Sequence, residues 1–256
     1  MFNYDTLPEN MSWLKQRTIL LTLTGSYAYG TNTETSDIDY KGVCIPPEEY
    51  YFGLKTFNDY NTTGGKNWKN TKDDVDISIM HINKFVSDAM AGVPNNIEIL
   101  FVNSEHILSI NEFGKELISH RHDFLSKALK HKFGGYAHSQ LMKLIAKNSN
   151  GTGRQDLIEK FGYDTKFYSH AVRLLTSAIE ILKIGDFSTY RSNKEELLAC
   201  RNGRDTLEQA IAYIQDLDKE LNELYETSNI IPHKPDYNKI NTWLIDLNKR
   251  AMLKEW

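Results

Sequence analysis

"GSYAYGTNTETSDIDYKGV", residues 25–43, follows directly on the apolar run "TILLTL" and carries Asp37 and Asp39 two positions apart. β-Branched and leucine residues ending at a Gly-Ser pair read as a buried strand running into a turn. If the chain turns from strand to helix there, backbone N–H groups and the Ser26 hydroxyl become available to phosphate, and Gly25 lets the backbone approach closely. On a following strand, side chains two apart share a face, so "DIDYKGVCI" sets Asp37 and Asp39 side by side before Pro46 and Pro47 end the run. Such carboxylates repel each other unless solvent or a cation compensates. A bare Asp-x-Asp is most often the surface end of a strand near a turn. The preceding Gly-Ser shifts that balance, because a phosphate cradle and cation ligands then arise in one short stretch, as phosphoryl transfer requires.

Working outward, "DVDISIMHI", residues 74–82, alternates Asp74, Asp76 and Ser78 with Val75, Ile77 and Ile79, the period of a half-buried strand. If this strand lies beside the first Asp-x-Asp, Asp76 adds a third carboxylate, and three hard oxygen donors suit magnesium or manganese. The intervening "NTTGGKNWKNTKDD" reads as a mobile loop or hairpin. From about residue 83 the pattern is helical, with segments near 83–91, 95–102, 110–120, 134–147, 165–184, 194–201, 204–226 and 237–253. In "SHAVRLLTSAIEILKIG" apolar residues recur every three or four positions up to Gly185, a suitable C-terminal stop. The small, flexible residues of "NSNGTGRQ", 148–155, read as a linker or lid. The fold class expected is α+β: a small α/β domain with a mixed sheet flanked by helices, residues 1–120, then a mostly helical domain, residues 121–256, with the boundary between 103 and 130.

Composition sets wide bounds. The 256 residues are 40% apolar, enough for a real core, and the net charge of −4 gives no whole-chain argument for nucleic-acid or membrane binding. Cys44 and Cys200 are far apart, which fits a reducing compartment and neither a disulfide scaffold nor a cysteine zinc site. No apolar run reaches the ~18 residues a membrane span needs, and the start lacks an export pattern, so a soluble cytoplasmic protein is expected. The oligomeric state is not legible.

At its Gly-Ser and Asp-x-Asp the sequence resembles the DNA polymerase beta-like nucleotidyltransferase superfamily. More narrowly it is similar to a family of bacterial and phage nucleotidyltransferases, through "GSYAYGTNTETSDIDYKGV", "DISIMHINKF", "GVPNNIEILF", "FGGYAHSQLMKL", "YDTKFYSHAVRLL" and "PHKPDYNKINTWL". The resemblance implies that Gly25 and Ser26 bind the triphosphate of a nucleoside triphosphate such as ATP, and that Asp37 and Asp39 ligate Mg²⁺ or Mn²⁺. It implies too that Asp76, preferred to Asp74 on the same face, is the third metal ligand and helps deprotonate an acceptor hydroxyl. The reaction implied is transfer of a nucleoside monophosphate with release of pyrophosphate. RNA such as tRNA is the favoured acceptor. A protein or small-molecule acceptor in a phage-host or toxin-like role is the second reading, and a nucleotide- or nucleic-acid-binding protein without turnover the third.

Lys166, His170 and Arg173 fall at i, i+4 and i+7 as one polar stripe, which reads either as a solvated helix face or as a cleft-facing set for the triphosphate. In "FGGYAHSQLMKL" packing is the first reading, although Tyr136 and Gln140 could meet a base, and Glu98 of "PNNIEILF" either binds at the cleft or braces it. Residues 119–154 hold seven cations, Arg121, Lys127, Lys130, Lys132, Lys143, Lys147 and Arg154, against Asp123 alone, a balance of +6 that suits a nucleic-acid acceptor as well as an ordinary solvated surface.

Overall fold

The computed structural model describes residue 4 and residues 7–34, 36–62, 76–146 and 154–256. Among them, five strands form one mixed sheet in the order β3-β4-β2-β1-β5. β1 (Thr18–Thr24) lies antiparallel to β2 (Asp39–Cys44) on one side and to β5 (Ile107–Ile110) on the other. β2 pairs in parallel with β4 (Asp76–His81), and β3 (Asp59–Asn61) closes the far edge antiparallel to β4. Two features of that ladder position the site. The β1–β2 pairing ends at Thr24↔Asp39, and the parallel register puts Asp39 opposite Asp76.

Asp37 was expected on the strand beside Asp39, and it is not. At Gly25 the chain leaves β1 to form the short helix α2 (Gly25–Tyr29), so no strand remains for residues before Asp39 to pair with, and β2 starts there. Asp37 precedes the strand by two residues.

The helices account for most of the remaining chain. A single turn, α1 (Leu14–Arg17), leads into β1; α3 (Ile82–Met90) and α4 (Pro94–Leu100) follow β4, and α5 (Glu112–Ser119) follows β5. Then come α6 (Leu129–Ile145), α7 (Gln155–Phe161), α8 (Thr165–Ile184), α9 (Lys194–Arg201), α10 (Leu207–Thr227) and α11 (Tyr237–Leu253). Local chemistry marks several starts. Asp164 caps α8 through the Lys166 N–H, Asn111 caps α5 through the Gly114 N–H, and Thr206 with Gln209 forms a capping box on α10. None of the described helices is long and apolar enough to cross a membrane.

α8 is the axis of the helical part. It is buried on most of its circumference against α6, α9 and α10, and its Val172, Leu175, Ala178 and Leu182 belong to one core that continues to Ile19, Leu20 and Val43 of the sheet. The opposite face of the sheet has its own smaller core, with Leu21, Tyr40, Ile77 and Ile79 under Leu14 and Phe57. Since β2 and β4 bury alternate residues, Asp39, Lys41, Asp76 and Ser78 share the half-buried positions between them.

Three differences from the sequence reading have physical causes. β5 is four residues long and runs straight into the α5 cap, too short for a period to show. α7 is a seven-residue helix next to a stretch read as a linker. α6 begins at Leu129, five residues before the expected 134, because Gly134 and Gly135 sit inside it despite their low helix propensity. The proposed loop at 61–74 and linker at 148–155 lie almost wholly outside the described residues.

Candidate active site

One cavity of about 440 Å³ opens between the C-terminal end of β1, the starts of β2 and β4, and helices α6, α8 and α9. Gly25, Ser26, Asp37, Asp39 and Asp76 line it from the sheet side, and Lys166, His170 and Arg173 from α8. Asp74, the alternative to Asp76, lies outside the described residues.

Gly25 has φ +64°, the left-handed region, and a Cβ there would stand 2.3 Å from Asp39 Oδ2. Only glycine lets the turn and that carboxylate meet. Gly25→Ala therefore forces the backbone to leave its conformation or the carboxylate to move. The expected cost is roughly 1–3 kcal/mol of stability from the strained backbone. Transfer should also fall about 10²-fold from displacement of a positioned group, checked by urea unfolding beside a transfer assay.

The carboxylates crowd one another. Burial, and then the charges of Asp76 and Asp37, raise the Asp39 carboxyl above the ordinary aspartate range, with Lys41 and Lys166 partly offsetting this. Among the described residues, however, no group of three or more His, Cys, Asp and Glu is gathered so that it could hold a metal by itself. The carboxylates come as a register pair, Asp39 and Asp76, with Asp37 brought to the same cavity by the loop before β2. This donor set fits magnesium, which ordinarily takes one or two carboxylates and completes its shell with substrate phosphates and water.

The stripe on α8 divides. Lys166 is half-buried, and no hydrogen bond or ion pair holds its amine among the described residues; burial, and then Arg154 and Arg201, lower its pKa, while Asp37 opposes. Arg173 is buried instead: its Nη1 donates to Glu98 Oε1, and its guanidinium carbon stacks 4.0 Å from the Tyr29 ring centre. The Tyr29 hydroxyl completes the set by donating to Glu98 Oε2 at 2.8 Å. Burial opposes charge on Arg173, but Glu98 and Tyr29 more than offset it, so the guanidinium stays protonated above its ordinary value. Glu98 is a brace beneath the cavity, and Arg173 is already neutralised by it. A solvated helix face does not describe this stripe.

His170 is held neutral, pushed down to about 3 first by burial and then by Arg173, Lys166, Arg154 and Arg201 around it. Burial likewise pushes His81 down to about 4, and its Nδ1 accepts the Asn83 N–H that starts α3. The unfolded chain takes up both protons near pH 6.5 whereas the folded protein does not, so stability must fall as pH drops below about 6.5 toward 4. Urea midpoints at pH 7 and pH 5 check this; the difference should shrink in His170→Gln.

Several lining residues escaped the sequence reading, Lys41, Arg201 and Asn95 among them. Lys41 is two places beyond Asp39 on the same strand face, so the period-two rule was enough to find it; burial lowers its pKa, while Glu98 and Asp39 favour its charge. Arg201, at the end of α9, and Asn95, in the first turn of α4, reach the cavity only through tertiary packing. Tyr136 and Gln140 line it from α6.

A strand, a Gly-Ser turn and short helix, and aspartates paired across the next parallel strands, all facing a helical wall of cations, define a polymerase-beta-like nucleotidyltransferase fold. The chain belongs to the RNA repair pathway DNA polymerase beta family, whose sequence model matches residues 5–246. It is also similar to an uncharacterised 38.9 kDa protein from the nrdC-mobD intergenic region of Enterobacteria phage T4, 26% identical over 146 residues. That match takes in 56% of this chain and 43% of the phage protein, so the chain spans less than half the length of that relative. No solved structure matches.

Proposed function

We propose that the protein transfers a nucleoside monophosphate from a nucleoside triphosphate to an acceptor hydroxyl, releasing pyrophosphate. The observation that carries this reading is the in-register pair Asp39↔Asp76 beside Gly25 and Ser26 on the sheet wall of a cavity that Lys166 and Arg201 line from the helices. A triphosphate lying against Gly25 and Ser26 would bring its negative charge under Lys166 and Arg201, the two cavity-lining cations on helices that no carboxylate pairs among the described residues. Asp39, Asp76 and Asp37 would hold a divalent cation, magnesium or manganese, which when bound neutralises phosphate charge and lowers the pKa of an attacking hydroxyl. Asp76, on β4 opposite Asp39, would receive the hydroxyl proton as oxygen attacks the α-phosphorus.

RNA is the acceptor this reading favours, on the strength of the family's RNA repair description and the basic segment 119–154. The test is to incubate purified protein with each α-labelled nucleoside triphosphate and a cell extract, then separate RNA from protein. Label in RNA is the expected outcome. Label in protein would move the acceptor to the second class, and tight nucleotide binding with no pyrophosphate released under any acceptor would reject transfer altogether.

A further inference from the structure

The helix α6 carries Lys130, Lys132 and Lys143 with His131 and His138 and not one Asp or Glu, in a chain whose net charge is −4. At 100° per residue, Lys132, Tyr136, Gln140 and Lys143 project within about 80° of one another, so they form one stripe along the helix. Its middle members, Tyr136 and Gln140, line the candidate cavity, while Lys132 and Lys143 do not. Tyr136 is 49% exposed and its ring has no ring partner among the described residues, so an aromatic side chain that lines the cavity stands open to solvent. Lys132 and Lys143 are exposed too, and neither forms an ion pair among the described residues; the Lys143 amine stands only over the Phe167 ring, 5.7 Å from its centre. Lys132 and Lys143 are eleven positions apart, about 16 Å along the axis.

We propose that this stripe is the docking track for the single-stranded end of a polynucleotide acceptor, with Lys132 and Lys143 on its phosphates and a base stacked on Tyr136. The inference rests on the transferase reading for the purpose of the track, though not for its existence. Lysines flanking an aromatic on an acid-free helix are complementary to an alternation of phosphate and base, which is how single strands are held without sequence preference. An acidic protein segment would match the lysines, but it has no use for a flat ring between them. A strand seated this way enters the cavity beside Gln140 and brings its terminal hydroxyl toward Asp76 on the opposite wall.

The experiment measures binding of a fluorescein-labelled single-stranded RNA of about ten nucleotides, at several salt concentrations, to the full chain. Lys132→Ala/Lys143→Ala should lower the slope of log affinity against log salt by about 1.4, two phosphate contacts at ~0.7 each. The same variant should bind a non-hydrolysable nucleoside triphosphate as the unaltered protein does. Tyr136→Ala should weaken the RNA about 10-fold, within the ~5- to ~150-fold range of base stacking on an aromatic, and Tyr136→Trp should restore it. Thermal melts of each variant exclude unfolding as the cause. An unchanged salt slope, an unchanged RNA affinity in Tyr136→Ala, or equal competition by an acidic peptide would overturn the track. Because binding is read without turnover, a protein that docks the RNA yet never releases pyrophosphate would defeat the transferase reading and leave the track standing.

Discussion

Asp39→Ala should reduce nucleotide transfer about 10³-fold or more, equivalent to roughly 4 kcal/mol of lost transition-state stabilisation, while the protein remains folded. The folded state has little to lose, because Asp39 is half-buried, opposite Asp76 and close enough to Asp37 that their charges raise its pKa together with burial. Deleting one of several mutually repelling carboxylates removes repulsion from the apo protein, so the melting temperature should hold or rise. Activity behaves oppositely, since the oxygens that crowd one another are the ones a divalent cation needs. A readout independent of turnover separates the two effects. Magnesium should raise the melting temperature of the unaltered protein by mass action, and that rise should vanish in Asp39→Ala. Retained transfer together with a retained magnesium shift would falsify the assignment.

Much of this site was legible because it is local. The Gly-Ser turn and the aspartates of "SDIDY" are fixed by short-range geometry: a positive φ at residue 25, and a strand that starts where its antiparallel partner ends. Alternation put Asp74 and Asp76 on one face of their strand without choosing between them, the resemblance favoured Asp76, and the register sets that residue opposite Asp39. What could not be read was long-range. The Glu98 carboxylate is 75 residues from Arg173, and nothing in "PNNIEILF" says that its acid will meet a guanidinium on α8. For the same reason Arg173 read as part of either a solvated face or a triphosphate contact: its position on the helix face was evident, its buried partner Glu98 was not. Arg201 shows the converse, an undistinguished residue at a helix end that becomes part of the cavity wall because α9 packs on α8.

The Glu98 brace carries the larger stability effect. Glu98 and Arg173 are both buried, and their pairing joins α4, which lies between β4 and β5 in the chain, to α8 of the helical part, with Tyr29 of α2 held to the same carboxylate. Glu98→Ala would leave a guanidinium that cannot shed its proton in an apolar setting and a tyrosine hydroxyl without its acceptor. The expected cost is about 3–5 kcal/mol, the range for removing one partner of a buried ion pair. Thermal unfolding should then fall by roughly 10 °C for a chain of this size. The reciprocal Arg173→Leu should cost less at low pH than at high, since the stranded Glu98 can be protonated whereas the stranded arginine cannot. Replacing both, Glu98→Leu with Arg173→Met, should recover most of the loss, because the penalty comes from an uncompensated charge rather than from absent attraction. Function separates brace from ligand. If Arg173 only braces, the double variant keeps its nucleotide affinity within a few-fold once refolded stability is restored; if it binds phosphate, affinity stays low in that variant although the melting temperature returns. A loss below about 1 kcal/mol in Glu98→Ala, measured by urea unfolding at pH 7, would mean the pair is solvated and α2 is positioned by something else.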